Sequence, residues 1–249
     1  GEYMAVVGQV GDVQGESIEV YEDPSSQRIS GLVYWVTLIY GGIGIIIAMN
    51  QTFTWDLFGI VLVDNSYFYS LIGVFLPISF LVFPGRAADQ RRVPFYDWML
   101  FAITVMASLY MAINGSNMVE RGWDIIAPAT PTFVAAVICF VALEAVRRAG
   151  GMALFIIVAI FFAFPLWTGA APGFLWGVDK TPFELVRAHA MGFESIIGVP
   201  MRVAGSLLIG FLIFGSALVV TGGGEFFMDF ATALMGRSRG GPAKVAILS

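Results

Sequence analysis

The densest set of residues able to do chemistry is "TGGGEFFMDFATALMGRSRGGPAKVAILS", Thr221 to Ser249, with six glycines and three basic side chains. Glycine beside lysine is the material of a phosphate cradle. That cradle needs G-x-x-x-x-G-K-[ST] between a strand and a helix. Gly236 and Gly241 have the glycine spacing, but Pro242 follows and Lys244 comes two positions late. No strand pattern feeds the segment, so nucleotide chemistry is excluded there. Nucleophilic chemistry fares no better. "AGSLLIG" at Ala204–Gly210 is not G-x-S-x-G, and no histidine lies at its depth. The single cysteine, Cys139, excludes an internal disulfide and a cysteine metal cluster. The single histidine, His189, could act as a pH sensor; the plainer reading puts it on a solvated helix face. No spanning histidine is present to ligate a haem. No nucleophile–base pair or metal cluster remains for an enzyme, and no cofactor is expected.

The elements behind these residues are membrane helices. The chain is 58% hydrophobic and 12% charged over 249 residues, against about 25% charged in soluble domains. No core could hide so much apolar side chain. The net charge of -5 excludes nucleic acid, which needs clustered cations. A crossing needs about 20 apolar residues, and six stretches qualify: Gly31–Met49, Tyr67–Phe83, Trp98–Ile113, Pro131–Leu143, Gly151–Gly169 and Val203–Val220. The fourth reaches span length only if Glu144 and Arg147 snorkel to the interface. Nine of the Lys and Arg residues, Arg147 and Arg148 among them, fall on one side of the alternating loops and four on the other. The positive-inside rule then makes the N-terminus cytoplasmic. The fold class is an all-α polytopic membrane protein of about six transmembrane helices plus amphipathic interfacial helices. All six tryptophans lie at or near span ends, as interface anchors do.

The first 30 residues form a polar cytoplasmic segment with no signal peptide. In the outer loop Ala170–Pro200, Thr181, Pro182 and Glu184 form a capping box. They predict a short helix lying near the membrane surface. Arg121, Asp124, Lys180, Glu184 and Arg187 are the outer charges able to meet a docking protein; each also reads simply as a solvated loop charge. Glu144, Arg147 and Arg148 read as inner membrane anchors, with Glu144 free to pair with Arg148 at i+4. Gly205, Ser206 and Gly210, and Gly41, Gly42 and Gly44, are small enough to let helices approach. The spans carry no Asp, Glu, Lys, Arg or His in their apolar centres, so this stretch reads as scaffold rather than proton relay.

The tail itself reads as an interfacial elbow. Glu225, Asp229, Thr232 and Gly236 share one helical face, and Phe227, Phe230, Ala231 and Leu234 the other. "TGGG" ends the sixth span and turns the chain into the interface plane. Arg237 and Arg239 mark the cytoplasmic side, Gly240 and Gly241 make a turn, and past Lys244 a new apolar run begins.

Several stretches together resemble tripartite ATP-independent periplasmic (TRAP) transporters. "GGGEFFMDFATALMGRSRGGPAKVAILS" is similar to the start of the large transport subunit. "LEAVRRAGG" at Leu143–Gly151 and "GVPMRVAGSLLIGFLIFGSALVVTGGGEFF" are similar to fused permeases of the TAXI subclass, and "VPFYDWML" fits as well. The resemblance implies a four-span small-subunit-like domain over 31–148, a linker span and outer loop helix over 149–200, and the opening of the large subunit over 201–249. It implies import of small organic anions (carboxylates) across the bacterial or archaeal cytoplasmic (inner) membrane, driven by a sodium or proton gradient. The implied partners are a periplasmic solute-binding protein, the remainder of the transport subunit and the lipid bilayer. The ion and substrate sites are expected beyond Ser249, this chain being an N-terminal portion that works as elevator scaffold. A non-transporting anchor or assembly subunit of a larger complex is the other reading.

Overall fold

The computed structural model describes residues 28–55, 62–86, 89–90 and 92–235. The polar N-terminal segment, apart from its last residues, and Arg237, Arg239, Gly240, Gly241 and Lys244 of the elbow lie outside the described residues. The described residues are helical with no strand. The chain forms two compact units, Gly1–Arg202 and Val203–Ser249.

In the first unit the helices are α1 (Leu32–Phe53), α2 (Asp64–Val82), α3 (Phe95–Ile113), the short α4 (Gly115–Glu120), α5 (Ala129–Ala163) and α6 (Pro182–Met191). α2 is the most buried of the long helices. Its Leu81 packs with Val33 of α1 and Phe101 of α3. Its Phe80 packs with Val141 and Ala145 of α5. One helix thus carries both hydrophobic clusters. Gly44 lets α1 approach it, since a Cβ there would lie 2.5 Å from Phe75 Cζ. Gly41, Gly42 and Gly210, also expected to mediate close approach, have no such neighbour within 4 Å. They face open space, where the requirement for a small residue disappears.

Five helices among the described residues are long and apolar enough to cross a membrane, including Ala129–Leu166 and Val199–Val220. Two of the six expected spans therefore run together. They are joined through Gly151, whose φ of 77° and ψ of 178° are not helical; this region is essentially open to glycine alone. The chain folds back there. Cys139 Sγ lies 3.7 Å from Val186 O, and Phe162 O lies 3.0 Å from His189 Nε2. A straight helix would hold residues 139 and 162 about 34 Å apart, yet both meet one turn of α6. The limbs 129–150 and 152–163 therefore run antiparallel, and the helices long and apolar enough to cross number five among the described residues where six spans are expected.

The second unit opens inside the apolar helix Val199–Val220. It contains a π-helical turn at Ala204–Leu208, where Ile209 N–H reaches back to Ala204 O, followed by α7 (Ile209–Val220). Gly222 then takes φ 73°, the left-handed terminator that the glycine run predicts. α8 (Gly223–Met235) follows. Phe226 and Phe230 stack along it, with ring centroids 6.2 Å apart. Glu225 and Asp229 lie one turn apart on it, the spacing expected of an amphipathic helix.

Candidate functional site

At one end of the first unit lies an ionic network that joins three helices and the segment before α1. Asp97 stands in the first turn of α3, after Pro94 at the N-cap. A carboxylate is favoured there by the helix dipole. Arg28 Nη2 meets its Oδ2 at 2.5 Å, and both side chains are fully buried. Arg28 also donates to the carbonyls of Phe80 and Leu81, at 3.1 and 2.7 Å. Those are among the last carbonyls of α2, which have no partner within their own helix. Further donations reach Arg92 O at 3.1 Å and Asp89 O. One guanidinium thus closes the end of α2 and ties the α2–α3 turn to it.

Arg148 of α5 approaches the same carboxylate from its other side, Nη1 to Asp97 Oδ1 at 2.7 Å. Its Nε holds Glu144 at 2.8 Å, and Glu144 also receives Arg147 at 2.7 Å. Arg148 further lies over the Phe80 ring at 5.1 Å, a cation–π contact. Its side chain is 2% exposed against 30% for Arg147. Arg148 therefore turns into the protein, while Arg147 keeps the interfacial exposure that snorkelling requires. The i+4 pair of Glu144 and Arg148 is present; Arg28 and Asp97 as its continuation are what sequence reasoning missed. Arg28 reads as one more positive-inside residue, and the partners lie 69 residues apart. The only local hint was Asp97 itself, an acid amid "VPFYDWML".

The far end of the unit is organised by α6. Its capping box is complete: Glu184 N–H donates to Thr181 Oγ1, and Glu184 Oε2 accepts from Thr181 N–H at 2.7 Å. That backbone hydrogen bond holds the Glu184 carboxyl below the usual carboxylate range. The helix is wedged among the spans rather than laid over them. Tyr69 of α2 is fully buried and donates its hydroxyl to Ala190 O. His189 is half-buried and stacks on Phe162 of α5 at 4.3 Å. Because the Phe162 carbonyl can only accept, His189 Nε2 carries the proton and Nδ1 accepts from Ser195 Oγ at 2.8 Å. Burial pushes its pKa down. His189 is therefore an inward-facing strut, not a solvated surface residue, because the Phe162 carbonyl and ring pull it toward α5. Trp123 also departs from the expected anchor role, packing inside at 6% exposure.

The five outer charges distribute over this end as follows. Asp124, Lys180 and Glu184 line one open groove of about 460 Å³ together with Asp179 and Glu194, which gives it a net acidic rim. Arg187 lines a second groove of about 470 Å³ with Thr181, Phe133 and Phe183. Its Nε is buried without a hydrogen-bond partner among the described residues. Arg121 follows α4 and belongs to neither lining. Among the described residues no group of three or more His, Cys, Asp or Glu is placed to hold a metal ion.

Residues 137–249 match the family model of the tripartite ATP-independent periplasmic transporter, DctM component. The match supports the TRAP transporter family for this part of the chain. It begins within the first limb of α5 and takes in Glu144, Arg147, Arg148, the whole of α6 and all of the second unit. That family is one of transporters, not of enzymes. Comparison with curated proteins and with solved structures yields no match. What stands is a multi-pass helical membrane protein, part of which is similar to the TRAP transporter DctM component.

Proposed function

We propose that this chain is the scaffold portion of a fused TRAP permease of the TAXI subclass. It serves a secondary importer of small organic anions (carboxylates), driven by a sodium or proton gradient across the cytoplasmic membrane and fed by a periplasmic binding protein. The observation that carries the reading is the family match over 137–249, which reaches from the fourth pass through the elbow helix α8. The bundle supports a static role. Among the described residues, the network of Arg28, Asp97, Arg148 and Glu144 and the Glu184 cap both sit at helix ends, which suits a static body.

The docking reading assigns the binding protein to the end of the unit built around α6. The acidic groove of Asp124, Asp179, Glu184 and Glu194 suits a basic patch on the partner, with Arg187 supplying opposite charge in the second groove. The test is uptake into proteoliposomes by the transporter that contains this chain, with and without a sodium gradient, a proton gradient and the binding protein. Uptake should require the protein and one gradient. Uptake indifferent to both, or no uptake with all three present, would favour the anchor-subunit reading instead. Arg121→Glu and Arg187→Glu should each raise the binding-protein concentration needed for half-maximal uptake. Unchanged kinetics in both would remove the docking assignment.

A further inference from the structure

Between the second limb of α5 and the capping box of α6 the chain makes a compact loop with a closed base. Gly177 N–H donates to Thr168 O at 3.2 Å, and Thr168 Oγ1 to Val178 O at 3.1 Å. Lys180 N–H donates to Pro165 O at 2.9 Å, and Gly169 N–H to the Asp179 carboxylate at 2.5 Å. Thr168 at the centre of this base is buried. Three single 3₁₀ turns, Phe164–Leu166, Thr168–Ala170 and Gly173–Leu175, carry the chain to a tip and back. The tip is apolar and projects: Phe174 is 95% exposed, Trp176 65% and Leu175 45%.

A rigidly held apolar tip needs an occupant. The sequence holds no charged residue from Met152 to Val178, so the uncharged surface runs without a break from the second limb of α5 to the tip. Ile157, Ile160 and Phe161 of that limb are exposed, as the lipid-facing side of a span must be. Charge resumes only at Asp179 and Lys180, where the loop closes. The backbone is also prepared for an apolar phase. Trp167, Ala170, Ala171, Leu175, Trp176 and Gly177 all donate their N–H groups within the loop, and Pro165 and Pro172 have none to satisfy. A segment entering the lipid must satisfy its own backbone groups. A protein-binding tip would instead offer side-chain hydrogen bonds, about one per 100–200 Å² of interface, and the tip side chains offer only the Trp176 indole.

We infer that residues 173–176 seat in the bilayer interface at the membrane face remote from Arg147 and Arg148, as a second, non-spanning lipid anchor that fixes the start of α6. Trp176 then sits at headgroup depth, where indole rings concentrate, and Phe174 reaches below it.

The test uses spin labels on the protein in phosphatidylcholine and phosphatidylglycerol nanodiscs. Cys139 is replaced by Ala, and a label is placed singly by Phe174→Cys, Leu175→Cys or Lys180→Cys. Collision with molecular oxygen, which partitions into lipid, is compared with collision with a water-soluble nickel chelate. The oxygen-to-nickel ratio should be several-fold higher at 174 and 175 than at 180. Equal ratios at all three positions mean a solvated loop and overturn the inference. Labels at 174 and 175 shielded from both reagents mean that protein covers the tip, which overturns it equally. Three independently placed labels keep the result readable if one variant fails to fold.

Discussion

Replacing Asp97 by Ala removes the one carboxylate that Arg28 and Arg148 share. Its side chain and that of Arg28 are fully buried, and Arg148 is 2% exposed. The two arginines are not left equally. Arg148 keeps Glu144 at 2.8 Å, whereas Arg28 keeps only carbonyl dipoles. The loss is therefore one uncompensated buried cation, which costs about 3–5 kcal/mol when a pair is broken from one side. At about 2–4 °C per kcal/mol for a chain of this size, the midpoint of thermal unfolding should fall by on the order of 10 °C. Glu144→Gln should cost far less, since Glu144 is 17% and Arg147 30% exposed and water screens part of the charge. The assay heats detergent-solubilised protein with a thiol-reactive fluorophore, because buried Cys139 reports unfolding directly. Arg28→Met combined with Asp97→Leu should recover more than half of the loss, as apolar replacement of both partners removes the desolvation cost. If Asp97→Ala stays within about 2 °C of the parent, less than about 1 kcal/mol is at stake. The network would then be solvated, and the reasoning would fail.

Three further perturbations separate the other joints. Gly151→Ala places a side chain at φ 77° where no atom lies within 4 Å of the new Cβ. The cost is pure backbone strain of about 1–3 kcal/mol, read as a midpoint drop of several degrees; an unchanged midpoint would mean no reversal there. Tyr69→Phe strips the donor from Ala190 O, at about 1–3 kcal/mol for a buried acceptor left unpaired. Amide hydrogen exchange across 182–198 should accelerate while α1 and α3 keep their protection. His189 is held below its ordinary pKa by burial. Below about pH 6.5 the unfolded chain takes up a proton that the folded imidazole resists. Stability should therefore decline as pH falls through that value and level off beneath the folded pKa. His189→Gln should flatten the decline, and an identical profile in both proteins would disprove the strut.

The long elements were legible because lipid imposes a simple rule: a run of apolar residues long enough to cross. The capping box at Thr181 and the glycine stop at Gly222 were legible too, since each is decided by residues within one turn. The hairpin at Gly151 was readable only as a gap between runs, because its proof lies in contacts with α6. Arg28 and Asp97 were opaque for the same reason. A loop arginine and a helix-start aspartate look solvated until the fold sets them side by side, and no periodicity encodes a contact across 69 residues. His189 misled in the other direction. It stands between Ala188 and Ala190 in a loop helix, where sequence alone does not choose a face, and the Phe162 ring and carbonyl turn it inward.

The two ends of the first unit are held by different physics, and the difference bears on how such a scaffold works. One end relies on charge: buried guanidinium groups close the last turn of α2 and bind the first turn of α3, contacts that break only at high cost. The other relies on single neutral hydrogen bonds, from Tyr69 to Ala190 and from His189 to Phe162, each worth about 1 kcal/mol net. Local opening will therefore begin at α6 and leave the ionic end closed. A docking protein that binds beside α6 would meet the adjustable end of a body clamped at its other end. Its binding energy could shift α6 without loosening the bundle. Hydrogen exchange resolved by segment should find the lowest opening free energy across 182–198 and the highest around Phe80–Leu81 and Asp97. The reverse order would place the rigid end at α6 and leave no adjustable surface there for a partner to move.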